Sequence, residues 1–258
     1  SRLSLGPLLA DDMGLGKRLE TILYIASFPN DKSLVVWPTS LVFNWQEEFA
    51  RFAPGIRTQI VFGTPEERQA LLQQEETDVF ITTYPLIRKD ISVYREIQFD
   101  HMFIDEAQFI KNHKSLSAKA VKSVPAKHRF ALTGTPIENA LSELWSIFEF
   151  IMPGFFSPYH KFSEVYEKPI MRGQDTEKMM ELKARIKPFI LRRMKKQVLK
   201  EIPDKTESMR MAQMTKKQEK IYLSYLTRIQ TEINDHKGIQ SGAERIQILS
   251  ALTRLRQI

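Results

Sequence analysis

The chain has 258 residues, 42% of them hydrophobic, and a formal net charge of +7; it can bury one large core or two smaller ones. It contains no cysteine, which excludes a disulfide framework and a thiolate zinc site, and its five histidines are too scattered to suggest a metal-ligand pair. No apolar run reaches bilayer-spanning length and no signal-peptide pattern opens the chain, so the expectation is no membrane partner and a reducing, intracellular location. Because the first residue is Ser1 rather than Met, the sequence is also expected to be a piece of a longer protein. In chain order, the apolar run Leu8–Ala10 predicts a short buried strand, followed by Asp11-Asp12-Met13-Gly14-Leu15-Gly16-Lys17-Arg18. Two glycines one residue apart allow a tight turn, and Lys17 opens an amphipathic helix with Leu19, Ile22, Leu23 and Ile25 at helical spacing.

Strand, glycine loop, lysine and helix together make a phosphate cradle. Backbone N–H groups of the loop face the anion, the helix N-terminus adds partial positive charge, and the lysine neutralises the outer phosphates. Asp12, Met13, Gly14, Leu15, Gly16, Lys17 and Arg18 are therefore the candidate nucleotide contacts; an ordinary tight turn is the alternative. The loop departs from G-x-x-x-x-G-K-[ST] at two positions. Asp11 stands at the first glycine, and Arg18 stands where a hydroxyl normally binds Mg²⁺, although a guanidinium only donates and cannot ligate a cation.

Further along, strands are predicted at Leu34–Trp37, Gln59–Phe62, Val79–Thr82, Met102–Ile104 and Phe130–Leu132. Helices are predicted at Leu41–Phe52, Pro65–Gln74, Leu116–Val124 and Leu141–Phe150. This alternation predicts an α/β fold, a parallel sheet flanked by helices, in which ligands collect at the carboxyl ends of the strands. Pro153-Gly154 marks a composition shift into a mostly helical, basic appendage, which divides the chain into residues 1–154 and 155–258. Within that appendage, Lys205–Met211 reads as an exposed strand. A long helix starts at a capping box, Thr215-x-x-Gln218, and a last one runs from about Glu244 to Ile258.

Asp105-Glu106-Ala107-Gln108 leaves the strand Met102–Ile104. A nucleotide hydrolase needs one carboxylate to hold Mg²⁺ and another to orient and polarise the attacking water, and adjacent acids at a strand end can divide those roles. Asp105 suits the metal and Glu106 the water; a plain acidic turn is the alternative. Leu132-Thr133-Gly134-Thr135-Pro136 ends another strand and could sense the phosphate site, or be simply a good turn. Thr39, Ser40 and Asn44 stand at a helix start and Thr83 beyond a strand end, where polar groups serve either a nucleic-acid phosphate or N-capping.

Charge is uneven. Residues 1–154 carry 16 basic and 19 acidic side chains, and residues 155–258 carry 22 and 12. From Lys183 to Lys200 there are eight basic residues and no acidic one, which points to a polyanion partner, with a solvated helix face as the alternative. Arg192, Lys195 and Lys196 are the candidate phosphate contacts, while Phe189, Ile190 and Leu191 suggest that part of the run is packed.

The order of these motifs resembles the first RecA-like lobe of the Swi/Snf-type ATPases, the DNA-translocating branch of helicase superfamily two. The matching strings are the loop from Ala10 to Lys17, Pro38-Thr39-Ser40-Leu41 with Asn44-Trp45, Thr82-Thr83-Tyr84, Asp105-Glu106-Ala107-Gln108 with Lys111-Asn112, and Leu132 to Asn139. Lys187 to Arg193 and Val198 to Glu207 are similar to the family's helical insertion, and Leu249 to Ile258 to the helix leading into its second lobe. The resemblance implies ATP and Mg²⁺ as cofactors, Lys17 and Glu106 as catalytic residues, Asp105 as the metal ligand, and Thr39, Asn44 and Thr83 on the DNA backbone. It implies double-stranded DNA as partner, a second RecA-like lobe carrying an arginine finger, protein targets on DNA, and a cytoplasmic, nucleoid-associated or nuclear setting. Without that second lobe, the chain by itself is expected to bind nucleotide weakly and hydrolyse little. Arg18 keeps a second possibility open, a DNA-binding or scaffold module with a degenerate nucleotide site, its guanidinium pairing with phosphate or with Asp105.

Overall fold

The short apolar runs pair side by side in the computed structural model, which describes residues 6–39, 42–134, 140–198, 209, 213–235 and 242–257. The strands are β1 (Leu8–Leu9), β2 (Ser33–Trp37), β3 (Thr58–Ile60), β4 (Val79–Thr83), β5 (Phe99–Ile104), β6 (Ala126–Leu132) and β7 (Ile190–Leu191). They form one sheet in the order β3-β4-β2-β5-β6-β1-β7, and every pairing is parallel. The α/β expectation holds.

Side-chain alternation assigns each strand residue to a face. Leu34, Val36, Phe80, Met102 and Ile104 join one apolar cluster, whereas Val35, Trp37, Val79, Ile81 and Phe103 join the other. Helices α1 (Lys17–Ala26) and α2 (Val42–Phe52) cover the second cluster through Ile22, Ile25, Trp45 and Phe49. The first is covered by α3 (Pro65–Leu72), α4 (Tyr84–Lys89), α5 (Ile91–Glu96), α6 (Leu116–Ser123) and α7 (Leu141–Ile151). Burial on both faces explains the apolar runs Leu34–Trp37 in β2 and Val79–Ile81 in β4, each such side chain contributing about 1.5–3 kcal/mol. Local signals set the helix starts. Thr64 and Glu67 form a reciprocal capping box ahead of Pro65, and the hydroxyl of Ser115 accepts the N–H of Ala118.

Beyond Gly154 the chain continues through α8 (Tyr159–Phe162), a π-turn, α9 (Lys168–Gly173) and α10 (Thr176–Ile186) into β7 and α11 (Lys195–Val198). Phe156, Phe162, Tyr166, Ile170, Leu182 and Ile186 are buried in the same cluster as Leu8 and Ile104. The composition shift at Pro153-Gly154 is therefore not a break in packing. The compact units are Ser1–Ile202 and Pro203–Ile258, because the aromatic and aliphatic side chains after Gly154 have the sheet's own helices to pack against. The second unit holds α12 (Lys216–Asp235) and α13 (Gly242–Gln257). The capping box predicted for α12 forms, with Gln218 N–H donating to Thr215 Oγ1 at 3.3 Å and Thr215 N–H to Gln218 Oε1 at 3.0 Å. Apart from the coil residue Met209, the strand expected over 205–211 falls outside the described residues.

Strand β7 has no counterpart among the predicted strands, since two residues are too few to display a period. It lies beside β1, pairing Leu8 with Ile190 and Leu9 with Leu191. Phe189 and Ile190 pack on the core, as the apolar character of that stretch predicts. No helix among the described residues is long and apolar enough to cross a membrane.

Candidate nucleotide-binding site

The loop from Asp11 to Gly16 leaves the carboxyl end of β1 and turns into α1. Gly14 (φ 84°) and Gly16 (φ 85°) both occupy the left-handed region that side-chain-bearing residues avoid, and Gly16 caps the helix without a side-chain bond. The first-turn N–H groups of α1 are thereby left toward the open cleft, where an anion would satisfy them. Lys17 folds back over the loop, its Nζ donating to the carbonyls of Asp11 at 2.6 Å and Asp12 at 3.2 Å. The ammonium is thus held at the loop mouth by neutral acceptors, and among the described residues no carboxylate forms an ion pair with it.

Both departures from the phosphate-loop pattern have structural partners. Asp11 is fully buried, and its carboxylate accepts Arg193 N–H at 2.7 Å, Arg193 Nε at 2.8 Å and a second guanidinium nitrogen. A buried acid requires such a cation. Arg18 pairs with Glu48 at 2.8 Å and lies 4.5 Å from the ring centroid of Trp37. It does not bond Asp105, so the pairing expected of a degenerate site is replaced by one to α2.

Asp105 and Glu106 follow β5, and Asp105 N–H still donates to Val36 at 2.9 Å. Lys17, Arg18, Glu48, Asp105 and Glu106 line one cleft of about 360 Å³ together with Gly14 and Gly16. Loop and acidic pair therefore share one ligand volume on the same side of the sheet. Burial pushes the Asp105 carboxyl up to about 7; the Glu106 N–H at 2.6 Å, Arg18 and Lys17 work against that rise, and the Glu106 charge adds to it. Glu106 has φ 51° and ψ 56°, left-handed geometry that is uncommon for a residue with a side chain and turns its carboxylate out of line with the strand. Gln108 Nε2 donates to Glu106 Oε2 at 2.7 Å, and Thr133 Oγ1 donates to Gln108 Oε1 at 3.0 Å. Tyr84 Oη bonds the Asp105 carbonyl at 2.6 Å from beneath.

The donor set fits a hard divalent cation bound mainly by phosphate oxygens and water. Asp105 supplies one buried carboxylate, and such ions commonly use one or two. Arg18 contributes no ligand. Among the described residues no cluster of three or more histidines, cysteines and acids forms a separate metal site; His101 pairs instead with Asp31 at 2.8 Å.

The candidate DNA contacts divide. Thr39, Asn44, Arg192 and Lys196 are exposed. Thr83 is 4% exposed, and its hydroxyl caps α4 by accepting Leu86 N–H at 3.4 Å. Lys195 is exposed but its ammonium turns toward the loop at Gly14. Ser40, Leu41 and the segment from Thr135 to Asn139 lie outside the described residues. Sequence reading missed Glu48 and the Arg193–Asp11 pair. The one available signal was Asp11 itself, an acid in a buried strand–loop junction that needs a partner.

A family model described as "SNF2-related domain" matches residues 2–258. A helicase of Caenorhabditis elegans named ssl-1 is 35% identical over 98% of this chain and 11% of its own length. An ATP-dependent helicase of Mycoplasma pneumoniae is 36% identical, covering 98% of this chain and 24% of its own. The SWI2/SNF2 ATPase core of Sulfolobus solfataricus, solved in complex with double-stranded DNA, superimposes with a TM-score of 0.70 at 37% identity, over 98% of this chain and 53% of that one. The chain thus spans about half of the solved core and a quarter or less of these two relatives.

Proposed function

Since the chain belongs to the SNF2-related domain family and has the RecA-like fold of its ATPase core, we propose that it is the nucleotide-holding lobe of a motor that hydrolyses ATP to move on double-stranded DNA. The observation that carries this reading is the meeting of Lys17 with Asp105 and Glu106 in one cleft. Lys17 and the N–H groups from Gly14 to Lys17 hold the phosphate chain, the ammonium moving from the Asp11 and Asp12 carbonyls onto phosphate oxygens. Asp105 holds Mg²⁺, which when bound neutralises charge on the outer phosphates. Glu106, turned outward by its left-handed backbone and held by Gln108, orients and polarises the attacking water. Thr133 links that glutamate to the end of β6.

Turnover requires a second lobe that supplies an arginine finger and closes the cleft; Thr39, Asn44, Arg192 and Lys196 follow the DNA backbone, and proteins on the DNA are the objects displaced. The setting is the compartment that holds the DNA, cytoplasmic in a bacterium and nuclear in a eukaryote. In the intact parent, Glu106→Gln is expected to abolish DNA-stimulated ATP hydrolysis, and unchanged turnover would count decisively against the motor. Arg18 favours a second reading, a crippled site that serves DNA binding alone, because it brings a Glu48-paired guanidinium where a hydroxyl would ligate the metal. A sharp rise in Mg²⁺-dependent hydrolysis on Arg18→Thr supports that second reading; no change supports the motor.

A further inference from the structure

The basic run after β7 divides into two groups that face different neighbours. Between Leu191 and Lys195, its backbone is tied to the phosphate loop at every second residue. Ala10 N–H donates to Leu191 at 2.7 Å, Asp12 N–H to Arg193 at 3.1 Å, and Lys195 N–H to Asp12 Oδ2 at 3.0 Å. The Arg193 guanidinium bridges the two arms of the loop, holding Asp11 before the glycines and Glu20 on α1 after them. Lys195 is thereby fixed in position 183 residues away in sequence from Asp12. A methyl group built on Gly14 would stand 3.6 Å from both Cε and Nζ of Lys195. Its ammonium forms no ion pair with a carboxylate among the described residues, since Asp11 is engaged by Arg193 and Asp12 receives the Lys195 N–H.

We propose that Lys195 is a ligand of the nucleotide's phosphate chain, a second cation beside Lys17, and that it is not part of the DNA track. The proposal rests on the nucleotide reading above. Physically it follows from an ammonium without a carboxylate partner, brought beside Gly14 of the phosphate loop by backbone bonds; charge-assisted bonds to phosphate are the strong class of hydrogen bond. Arg192 and Lys196, on either side, are exposed. The alternation places cations for ATP and cations for DNA on one short segment, so that each ligand bears on the segment that holds the other.

The test is a titration of the chain with a fluorescent ATP analogue in Mg²⁺, with competition by unlabelled ATP, for wild type, Lys195→Met, Lys195→Arg and Lys187→Met. Lys187 lies in the same basic run and is exposed, so its loss matches the change in net charge. Lys195→Met is expected to weaken binding about tenfold, Lys187→Met to stay within twofold, and Lys195→Arg to recover most of the loss. Equal effects of the two methionine variants would overturn the proposal, because they reduce it to bulk charge. So would unchanged nucleotide affinity in Lys195→Met accompanied by a flatter salt dependence of duplex binding, which returns the residue to the DNA track. Wild type that shows no binding displaceable by ATP overturns the nucleotide reading itself, an outcome distinct from either.

Discussion

The two walls of the cleft are built by opposite means. The loop wall is held by charge: Asp11 is buried under Arg193, Glu20 shares the same guanidinium, and Arg18 pairs with Glu48. The acidic wall is held by neutral partners and by backbone geometry, with Gln108 and Thr133 in series behind a left-handed Glu106 and Tyr84 under the Asp105 carbonyl. A wall that must bind a polyanion without moving is fastened by ion pairs that cost several kcal/mol to break singly. A wall that must place one oxygen for proton chemistry is tuned by directional hydrogen bonds and by burial.

Breaking the loop wall has the largest expected effect on stability. Arg193→Ala leaves the Asp11 carboxylate buried and unpaired, and is expected to cost about 2–4 kcal/mol in urea unfolding, reduced from the fully buried case by the partial exposure of the arginine. Asp11→Asn in the same chain should recover much of that, which would identify the stranded charge as the cause.

The acidic wall responds to pH instead. The Asp105 carboxyl, pushed up to about 7 in the folded chain from 3.8, binds more protons folded than unfolded between those values. Stability without metal is therefore expected to fall as pH rises from about 4 to 7, by at most about 1.4 kcal/mol per pH unit from this group. Asp105→Asn should remove that component, and added Mg²⁺ with nucleotide should oppose it in wild type. Gln108→Ala sharpens the comparison further: turnover in the intact parent should drop about tenfold, the equivalent of one hydrogen bond to a charged group, with nucleotide affinity unchanged. The smallest effect on stability is expected from Glu106→Gly, which relieves the left-handed strain and should stabilise the fold by up to about 1 kcal/mol while activity is lost.

Much of the fold was legible because its signals are local. Buried strands such as Leu34–Trp37 announce themselves as apolar runs, the Thr215–Gln218 box starts α12 as written, and two glycines before a lysine imply a turn into a helix. Thr83 shows where local signals stop: a threonine at a strand end has the same pattern whether it caps the next helix or faces a ligand, and its 4% exposure comes only from the fold. The composition shift at Pro153-Gly154 is a second case. It records a change in surface charge and helix content, while Phe156, Phe162 and Ile186 continue the core already begun.

Read alone, the amino-acid order determined the parallel α/β architecture, the glycine loop and the acidic pair, since periodicity, glycine freedom and the placing of acids at strand ends act over a few residues. Tertiary structure alone decided that β7 returns to lie beside β1, that Arg193 answers Asp11, and that Lys195 reaches Gly14 while Arg192 and Lys196 face solvent. Those pairings join groups about 180 residues apart, and no local preference encodes them. They exist because a buried carboxylate must find a cation and an unpaired strand edge must find a neighbour, wherever in the chain each is carried.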